Sequence, residues 1–338
     1  MRVLYLYNIL ALRGTSLIRC VDRGAELLVR RHVSAKIRLE YDCGRFWRKV
    51  GCLMSVVIGI DIGGSSTKIV GFSSKGDGWE LIEPQIIKAN DPVTATYGAF
   101  GKFTDENNLH ISDISKVMMT GVGASHVKSS LYGLKCQRVA EFDSIGRGGT
   151  YLSGLSEALV VSMGTGTAMV HARADGTMKY LGGTGVGGGT LLGLSKLLLN
   201  VESIRHLEQL AEQGSLDNID LRIKDMTATN SLTQLEGDLT AANFGKLSDL
   251  ATKDDVALGI MNLIFETVGM VSIFAARSVG AKDIILTGNV TKLTHCKRKF
   301  DEFNHLEVGR GLNFIIPDRA RFSTAIGAAM IGMRWGEK

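Results

Sequence analysis

Four short glycine-containing segments and one acidic pair hold the residue types that could move a phosphate in this chain. In Asp61-Ile62-Gly63-Gly64-Ser65-Ser66-Thr67-Lys68, two glycines separate a predicted strand over 56–62 from a second over 67–72. Successive backbone N–H groups in such a turn converge on an anion. Ser65, Ser66 and Thr67 add hydroxyl donors, and Lys68 a charge. Asp61, at a strand end, suits a carboxylate holding hydrated Mg2+. An ordinary hairpin with a turn-forming Asp has the same composition. Gly164-Thr165-Gly166-Thr167, after a predicted strand over 158–163, offers similar groups, although tight hairpins also use them without any ligand. The run 182–189 places six glycines in eight positions. At roughly 0.5–1 kcal/mol of chain entropy each, a plain turn does not explain them. A backbone lying against a flat ligand, ahead of a helix over 187–200 whose N-terminus faces phosphate, does. Thr287-Gly288-Asn289 closes a predicted strand over 283–287, either to meet a nucleoside or simply to turn.

Phosphoryl transfer to an alcohol also needs a base. Glu141 and Asp143, in Val139-Ala140-Glu141-Phe142-Asp143-Ser144, lie between the first two hairpins. A carboxylate there could take a hydroxyl proton; a surface ion pair, or a helix N-cap by Asp143, is the alternative. No GxxxxGK[ST] is present, which excludes a P-loop, and no GxGxxG stands at a strand–helix junction with an acid some twenty residues on. The seven His form no HxH or HxxxH pair, and no CxxC occurs among the five Cys, so zinc and iron–sulfur sites are not expected. Cys136 and Cys296 read as buried thiols.

The elements that must position these residues follow from pattern. Strands are expected over 56–62, 67–72, 79–87, 116–120, 158–163, 168–173, 178–181 and 283–287, and helices over 94–103, 125–134, 187–200, 256–279 and 323–333. Twice the chain runs from a strand into a Gly hairpin and then into helices. Two similar α/β halves with mixed sheets, meeting across a hinged cleft, are the expected fold.

Length and composition agree: 338 residues, 45% hydrophobic and 22% charged, describe a globular protein of about two domains. No run of 18 apolar residues appears, so no membrane span or membrane partner is expected. The net charge of +5 is misleading, because residues 1–53 carry nine Arg and two Lys against four acids, a net of +7 that leaves the rest at −2. A nucleic-acid partner is therefore not expected. The opening apolar run lacks a small-residue cleavage site, although an Arg-rich, acid-poor start also fits a transit peptide. Residues 1–53 are expected to be a non-native or disordered extension, with translation starting at Met54. The halves are then 54–155 and 156–338, in a cytoplasmic protein.

GIDIGGSSTK (59–68), VAEFDSIGRG (139–148), MGTGTA (163–168), GGTGVGGGTLLGL (182–194), GDLTAANFGKL (237–247) and FSTAIGAAMIG (322–332) together resemble the type II, eukaryotic-like pantothenate kinases. These sit in the superfamily of actin, chaperone ATPases and sugar kinases, and the likeness spans about 54–335. It implies two actin-like (ribonuclease H-like) halves around an ATP cleft, and ATP- and Mg2+-dependent phosphorylation of pantothenate to 4′-phosphopantothenate, the first step of coenzyme A biosynthesis. Carried over by position, Glu141 is the general base. Asp61 (also the metal ligand), Ile62, Gly63, Gly64, Ser65, Ser66, Thr67 and Lys68 bind the β- and γ-phosphates, with Thr165 opposite. Gly188, Gly189, Thr190, Leu191 and Leu192 lie along the nucleotide, and Asn289 lies near the adenosine. Ser162 stands where many superfamily members have Asp. The resemblance further implies a homodimer through the helix over 256–279, and coenzyme A or an acyl-CoA as a feedback ligand. One departure bears on the substrate: Tyr180, with Lys179 beside it, stands where the family has an Arg, and a Lys lacks the bidentate fork of that residue. The rival readings are a related kinase acting on pantetheine or a sugar, a non-catalytic nucleotide or acyl-CoA sensor, and an iron–sulfur dehydratase activator, which needs clustered Cys.

Overall fold

The computed structural model describes residues 8–12, 15–22, 25–32, 55–75, 78–88, 91–227 and 237–334. The chain divides into two compact units, Met1–Leu53 and Met54–Lys338. In the first, strands β1 (Asn8–Leu12), β2 (Thr15–Asp22) and β3 (Ala25–His32) form an antiparallel meander. Met54, with the side chains of Cys20, Cys43 and Cys52, lies outside the described residues.

The second unit contains one arrangement built twice. The strands β4 (Val56–Ile62), β5 (Thr67–Lys75) and β6 (Gly78–Ile87) form an antiparallel meander. Beyond β4 lie parallel β7 (Ile114–Thr120) and β9 (Leu134–Arg138), with β8 (Ser130–Leu131) at the edge, giving the order β6-β5-β4-β7-β9-β8. The strands β10 (Ala158–Met163), β11 (Thr167–Ala172) and β12 (Met178–Thr184) repeat the meander, and parallel β15 (Asp283–Thr287) and β16 (Asn313–Ile315) extend it as β12-β11-β10-β15-β16. Between them in sequence, β13 (Leu221–Arg222) and β14 (Thr240–Ala242) make a small ribbon.

Helices sandwich both sheets. On the outer face of the first sheet, α1 (Pro92–Glu106) buries Ala99, Phe100 and Phe103 against Val56, Ile58, Ile60 and Ile62. Between the sheets lie α2 (Glu141–Ser153) and, from the far end of the chain, α7 (Ser323–Arg334). The connections cross: Ile145 of α2 packs on Val160 and Val170 of the second sheet, whereas Ala325, Ile326 and Ala329 of α7 pack on Val57, Val70 and Met118 of the first. The outer face of the second sheet is covered by α3 (Gly188–Leu199), α4 (Ile204–Ala211), α5 (Lys253–Val279) and α6 (Thr294–His305). By length and composition α5 could cross a membrane. Here it is a core helix, with Ile260, Ile264, Phe265 and Val268 at 0 to 1% exposure.

The helix expected over 125–134 is absent. A 3-10 turn (Val122–His126) and strands β8 and β9 take its place. Gly133 at φ +84° and Tyr132 at φ +50° turn the chain left-handed where a helix would need the opposite sign. The unforeseen helix α2 is the more consequential difference, because it begins at Glu141.

Candidate active site

Period-2 alternation decides which way Asp61 points. Along β4, residues 56, 58, 60 and 62 enter the outer core, while Val57, Gly59 and Asp61 face the layer between the sheets. Helix α7 covers the first two of these so closely that a Cβ on Gly59 would lie 2.7 Å from the backbone nitrogen of Ala329. Asp61 lies at the strand's end, and its side chain is met by Lys68, one register step across β5, whose Nζ donates to Oδ2 at 2.9 Å. Both side chains are about nine-tenths buried, at 8% and 10% exposure. The other carboxylate oxygen faces Gly121, where a Cβ would intrude to 2.7 Å and where φ is +89°, so only glycine leaves Oδ1 free of the backbone. Thr120, paired with Asp61 across the parallel β4–β7 ladder, buries Oγ1 with no protein partner.

Glu141 opens α2, after the N-cap Ala140, and so has no preceding helical turn to cover it. Its carboxyl is held above the ordinary range of 4.5, first by burial and then by repulsion from Asp61, with Lys68 partly offsetting both. The three groups, from β4, β5 and α2, therefore lie within electrostatic reach of one another. A lifted pKa is what a base working near neutrality needs.

The hairpins face one another. A Cβ on Gly64 would start 3.7 Å from Thr165 Oγ1. Asn289 Nδ2, from the second sheet's β15 turn, donates to Ser66 Oγ at 3.1 Å, and Asn289 Oδ1 is buried with no protein partner. Asn289 thus meets the first hairpin. Ser65 and Gly64 are exposed, whereas Ser66 and Thr67 are buried and Ile62 lies wholly in the outer core, so Ile62 can offer only backbone. Orphaned buried oxygens on Thr120 and Asn289, a half-free Asp61 carboxylate and open glycines between them fit a hydrated divalent cation and a polyphosphate.

The third glycine run has a role that the spacing did not reveal. The N–H groups of Gly188 and Gly189 donate to the carbonyls of Gly164 (2.9 Å) and Thr165 (2.8 Å). These glycines let two backbones approach, since a Cβ on Gly188 would lie 2.9 Å from the Gly164 oxygen. Those two amides are therefore not free for phosphate. Thr190 Oγ1 accepts from Gly187 N and donates to Gly185 O, bracing the loop. Leu191 is at 0% exposure in the core beneath, while Leu192 is half-buried on the surface.

Alternation separates Lys179 from Tyr180. Met178 packs on the α2 side of the second sheet with Val170 and Ala172. Tyr180, two residues on, shares that side, and its ring stacks on Phe142 with centroids 3.9 Å apart and planes 11° apart. Lys179 points to the opposite side, across from His171, and is exposed. Lys179 therefore does not supply a cation beside Glu141. Phe142 was not foreseen; only its place next to the acid, in a motif already singled out, could have marked it. Likewise Gly121 gave no signal in sequence.

Cys136 and Cys296 are buried in separate cores, and no cluster of three or more potential metal ligands occurs among the described residues. A cavity of about 780 Å³ lies away from this site, between α5, α6 and the β13–β14 ribbon.

Comparison with known proteins agrees with the motifs. A family model described as Fumble matches residues 157–299. The type II pantothenate kinase of Staphylococcus aureus is 27% identical over 285 residues, covering 81% of this chain and 99% of that protein. That of Oceanobacillus iheyensis is 35% identical over 167 residues, covering 47% and 62%. Among solved structures, component A of the (R)-2-hydroxyglutaryl-CoA dehydratase of Acidaminococcus fermentans superposes with a TM-score of 0.61 at 18% identity, covering 84% of this chain and 99% of that one. The activator of the 2-hydroxyisocaproyl-CoA dehydratase of Clostridium difficile, with bound ADPNP, gives 0.60 at 17%, covering 83% and 96%. A ROK family glucokinase from Streptomyces griseus, with glucose and AMPPNP, gives 0.50 at 14%, covering 82% and 98%. The fold is thus the two-lobed actin-like one that the motifs implied, and the sequence similarity is to type II pantothenate kinases.

Proposed function

We propose that this chain, similar along most of its length to type II pantothenate kinases, phosphorylates the primary hydroxyl of pantothenate at the expense of ATP. The observation that carries the reading is Glu141, its proton affinity raised, beside the buried Asp61–Lys68 pair where the two glycine hairpins face each other.

ATP with Mg2+, when bound, supplies the phosphoryl group to be transferred. Asp61 Oδ1 and the hydroxyls of Ser65 and Ser66 are the groups suited to hold the hydrated cation and phosphate oxygens, with Thr165 opposite. Lys68 pairs with Asp61 and adds positive charge where negative charge gathers. Glu141 would take the proton from the acceptor hydroxyl as its oxygen bonds to the γ-phosphorus and the bond from that phosphorus to the ADP oxygen breaks; ADP leaves, and the carboxyl then releases the proton to solvent. Movement of the two lobes about the α2–α7 crossing excludes water.

The test is ATP consumption by the full chain with and without pantothenate, with mass detection of 4′-phosphopantothenate. Mg2+-dependent product is expected; ATP binding with no phosphorylated product would sink the reading and favour a nucleotide or acyl-CoA sensor. A second acceptor class is favoured by one observation, the turning away of Lys179, which leaves Tyr180 where a charge was expected. Pantetheine therefore belongs in the same assay. Inhibition by coenzyme A or an acyl-CoA is part of the proposal and is read by adding them. So are a cytoplasmic location and a homodimer. Val271 (36% exposed) and Phe274 (58%) on α5, with Leu197 (77%) and Leu198 (52%) on α3, leave apolar surface for a second copy. Light scattering at the monomer mass would refute the dimer.

A further inference from the structure

Helix α2 runs along strand β12 in step with it. Gly146 sits over Met178, so closely that a Cβ there would meet the sulfur and lie 3.2 Å from Cγ. One helical turn earlier, about 6 Å back, stands Phe142, and two strand residues on, about 6.6 Å, stands Tyr180. The two rings meet at 3.9 Å. Glu141 precedes this pair and the Gly182–Gly183 backbone follows it along β12. Phe142 and Tyr180 nonetheless remain 39% and 46% exposed. The pair thus presents apolar area one residue along α2 from Glu141 rather than completing a core. On this side of the strand the side chains are those of Met178 and Tyr180, before the β11–β12 register shifts, and the helix adds Phe142 and Gly146. Among these four residues the Tyr hydroxyl is the one polar side-chain atom.

We propose that the Phe142–Tyr180 stack is the wall against which the acceptor is held, and that it selects a primary alcohol carried on a branched, apolar carbon over a polyhydroxylated one. The inference rests on Glu141 being the base that the reading above makes it. An acceptor hydroxyl within reach of Glu141 puts the carbon bearing it against the nearest surface, which these rings form. Branching methyls there leave water for aromatic contact. A sugar would instead bury several hydroxyls against a face with one polar atom, and unpaired buried hydroxyls are penalised more than lost methyl contacts. Pantothenate, whose reacting hydroxyl is next to a carbon with two methyls, has the favoured shape.

The experiment compares kcat/KM of the full chain for pantothenate and for its analogue lacking both methyls. A wild-type preference of about 15-fold is expected, the factor that two buried methyl groups provide. In Tyr180→Ala the preference should fall to within about twofold, through acceptor KM, with the KM for ATP unchanged. Tyr180→Phe should restore it, which a merely structural contact or a role for the hydroxyl would not predict together. Phe142→Ala is the second variant and should repeat the loss. A preference surviving both alanine variants, or acceptor and ATP KM rising equally, overturns the proposal. Absence of any phosphorylated pantothenate from the wild type would instead refute the reading of function. A panel of branched and polyhydroxylated alcohols then judges the stack, and a preference for sugars overturns it.

Discussion

The α2–α7 crossing positions Glu141, and adding one methyl group there tests whether it does. Gly327 of α7 lies against the first turns of α2. A Cβ at 327 would meet the Ser144 carbonyl oxygen, and would stand 2.7 Å from its carbon and 2.8 Å from Gly148 N. Relief to an ordinary separation of about 3.5 Å parts the helices by roughly 0.8 Å at those two atoms, and by more at the oxygen. The obstacle is backbone on both helices, so no rotamer change absorbs it. Overpacking of this kind costs about 3 kcal/mol, the upper part of the usual range, or about 6–12 °C in Tm at 2–4 °C per kcal/mol for a protein of this size. Ser144 is three residues from Glu141, so the carboxylate shifts with the helix. A displacement near 1 Å costs roughly 10²-fold in turnover. The assay is a thermal melt and steady-state kinetics of Gly327→Ala, beside Gly98→Ala as control. Gly98 is in α1 with nothing within 4 Å of an added Cβ, so alanine there should stabilise by up to about 1 kcal/mol. If Gly327→Ala melts with the wild type and keeps its turnover, the crossing neither packs nor positions as described.

Three further outcomes are expected. Glu141→Gln should lower turnover about 10²–10⁴-fold with ATP binding kept, and the wild-type kcat/KM should fall on the acid side at a pH above the ordinary carboxylate value of 4.5, because burial and Asp61 raise this group. The same shift means that the stability Glu141 contributes below its unfolded pKa is lost as pH rises through the raised folded value. Gln escapes that loss, so the Tm of the variant relative to wild type should grow from acid to neutral pH, and a constant difference would contradict the shift. Lys68→Met should destabilise by about 3–5 kcal/mol by leaving Asp61 buried without its cation, with Asp61→Asn/Lys68→Met recovering much of it; equal melts of single and double variants would refute the pairing. Among the described residues Cys136 and Cys296 lie in separate cores, so no iron–sulfur absorption band is expected from them; a visible band in the purified protein would revive the activator reading.

Strands with a strong local pattern could be read from sequence. Runs such as 56–62, 158–163 and 283–287 are apolar, β-branched and bounded by glycine, and they match β4, β10 and β15. Pattern failed where the partner was distant. The segment 125–134 has helical spacing, but β9 pairs in parallel with β7 and pulls it into strands, an outcome set by hydrogen bonds to residues about twenty positions away. Helix α2 was missed because Gly146, Gly148 and Gly149 lower its intrinsic propensity. Those glycines are needed by contact: Gly148 admits the Ser323 backbone, with its Oγ 2.8 Å from an added Cβ, and Gly149 admits Val160, whose Cγ1 would be 2.6 Å away.

By itself the sequence determined the residue types of the site and their place at strand ends: Asp61 and Lys68 flanking a glycine turn, Thr165 in a second, and Glu141 between. Period-2 alternation within one strand also suffices to put Asp61 on the opposite side from Ile62, and Tyr180 from Lys179, since that geometry is local. Only the tertiary structure decided which of these meet. It brought Glu141 to Asp61 and Lys68, turned Asn289 onto Ser66 across the lobes, spent the amides of Gly188 and Gly189 on the neighbouring hairpin, and closed Phe142 onto Tyr180. Each of those contacts joins segments far apart in the chain, and its existence depends on how two sheets and two crossed helices pack, which no window of sequence contains.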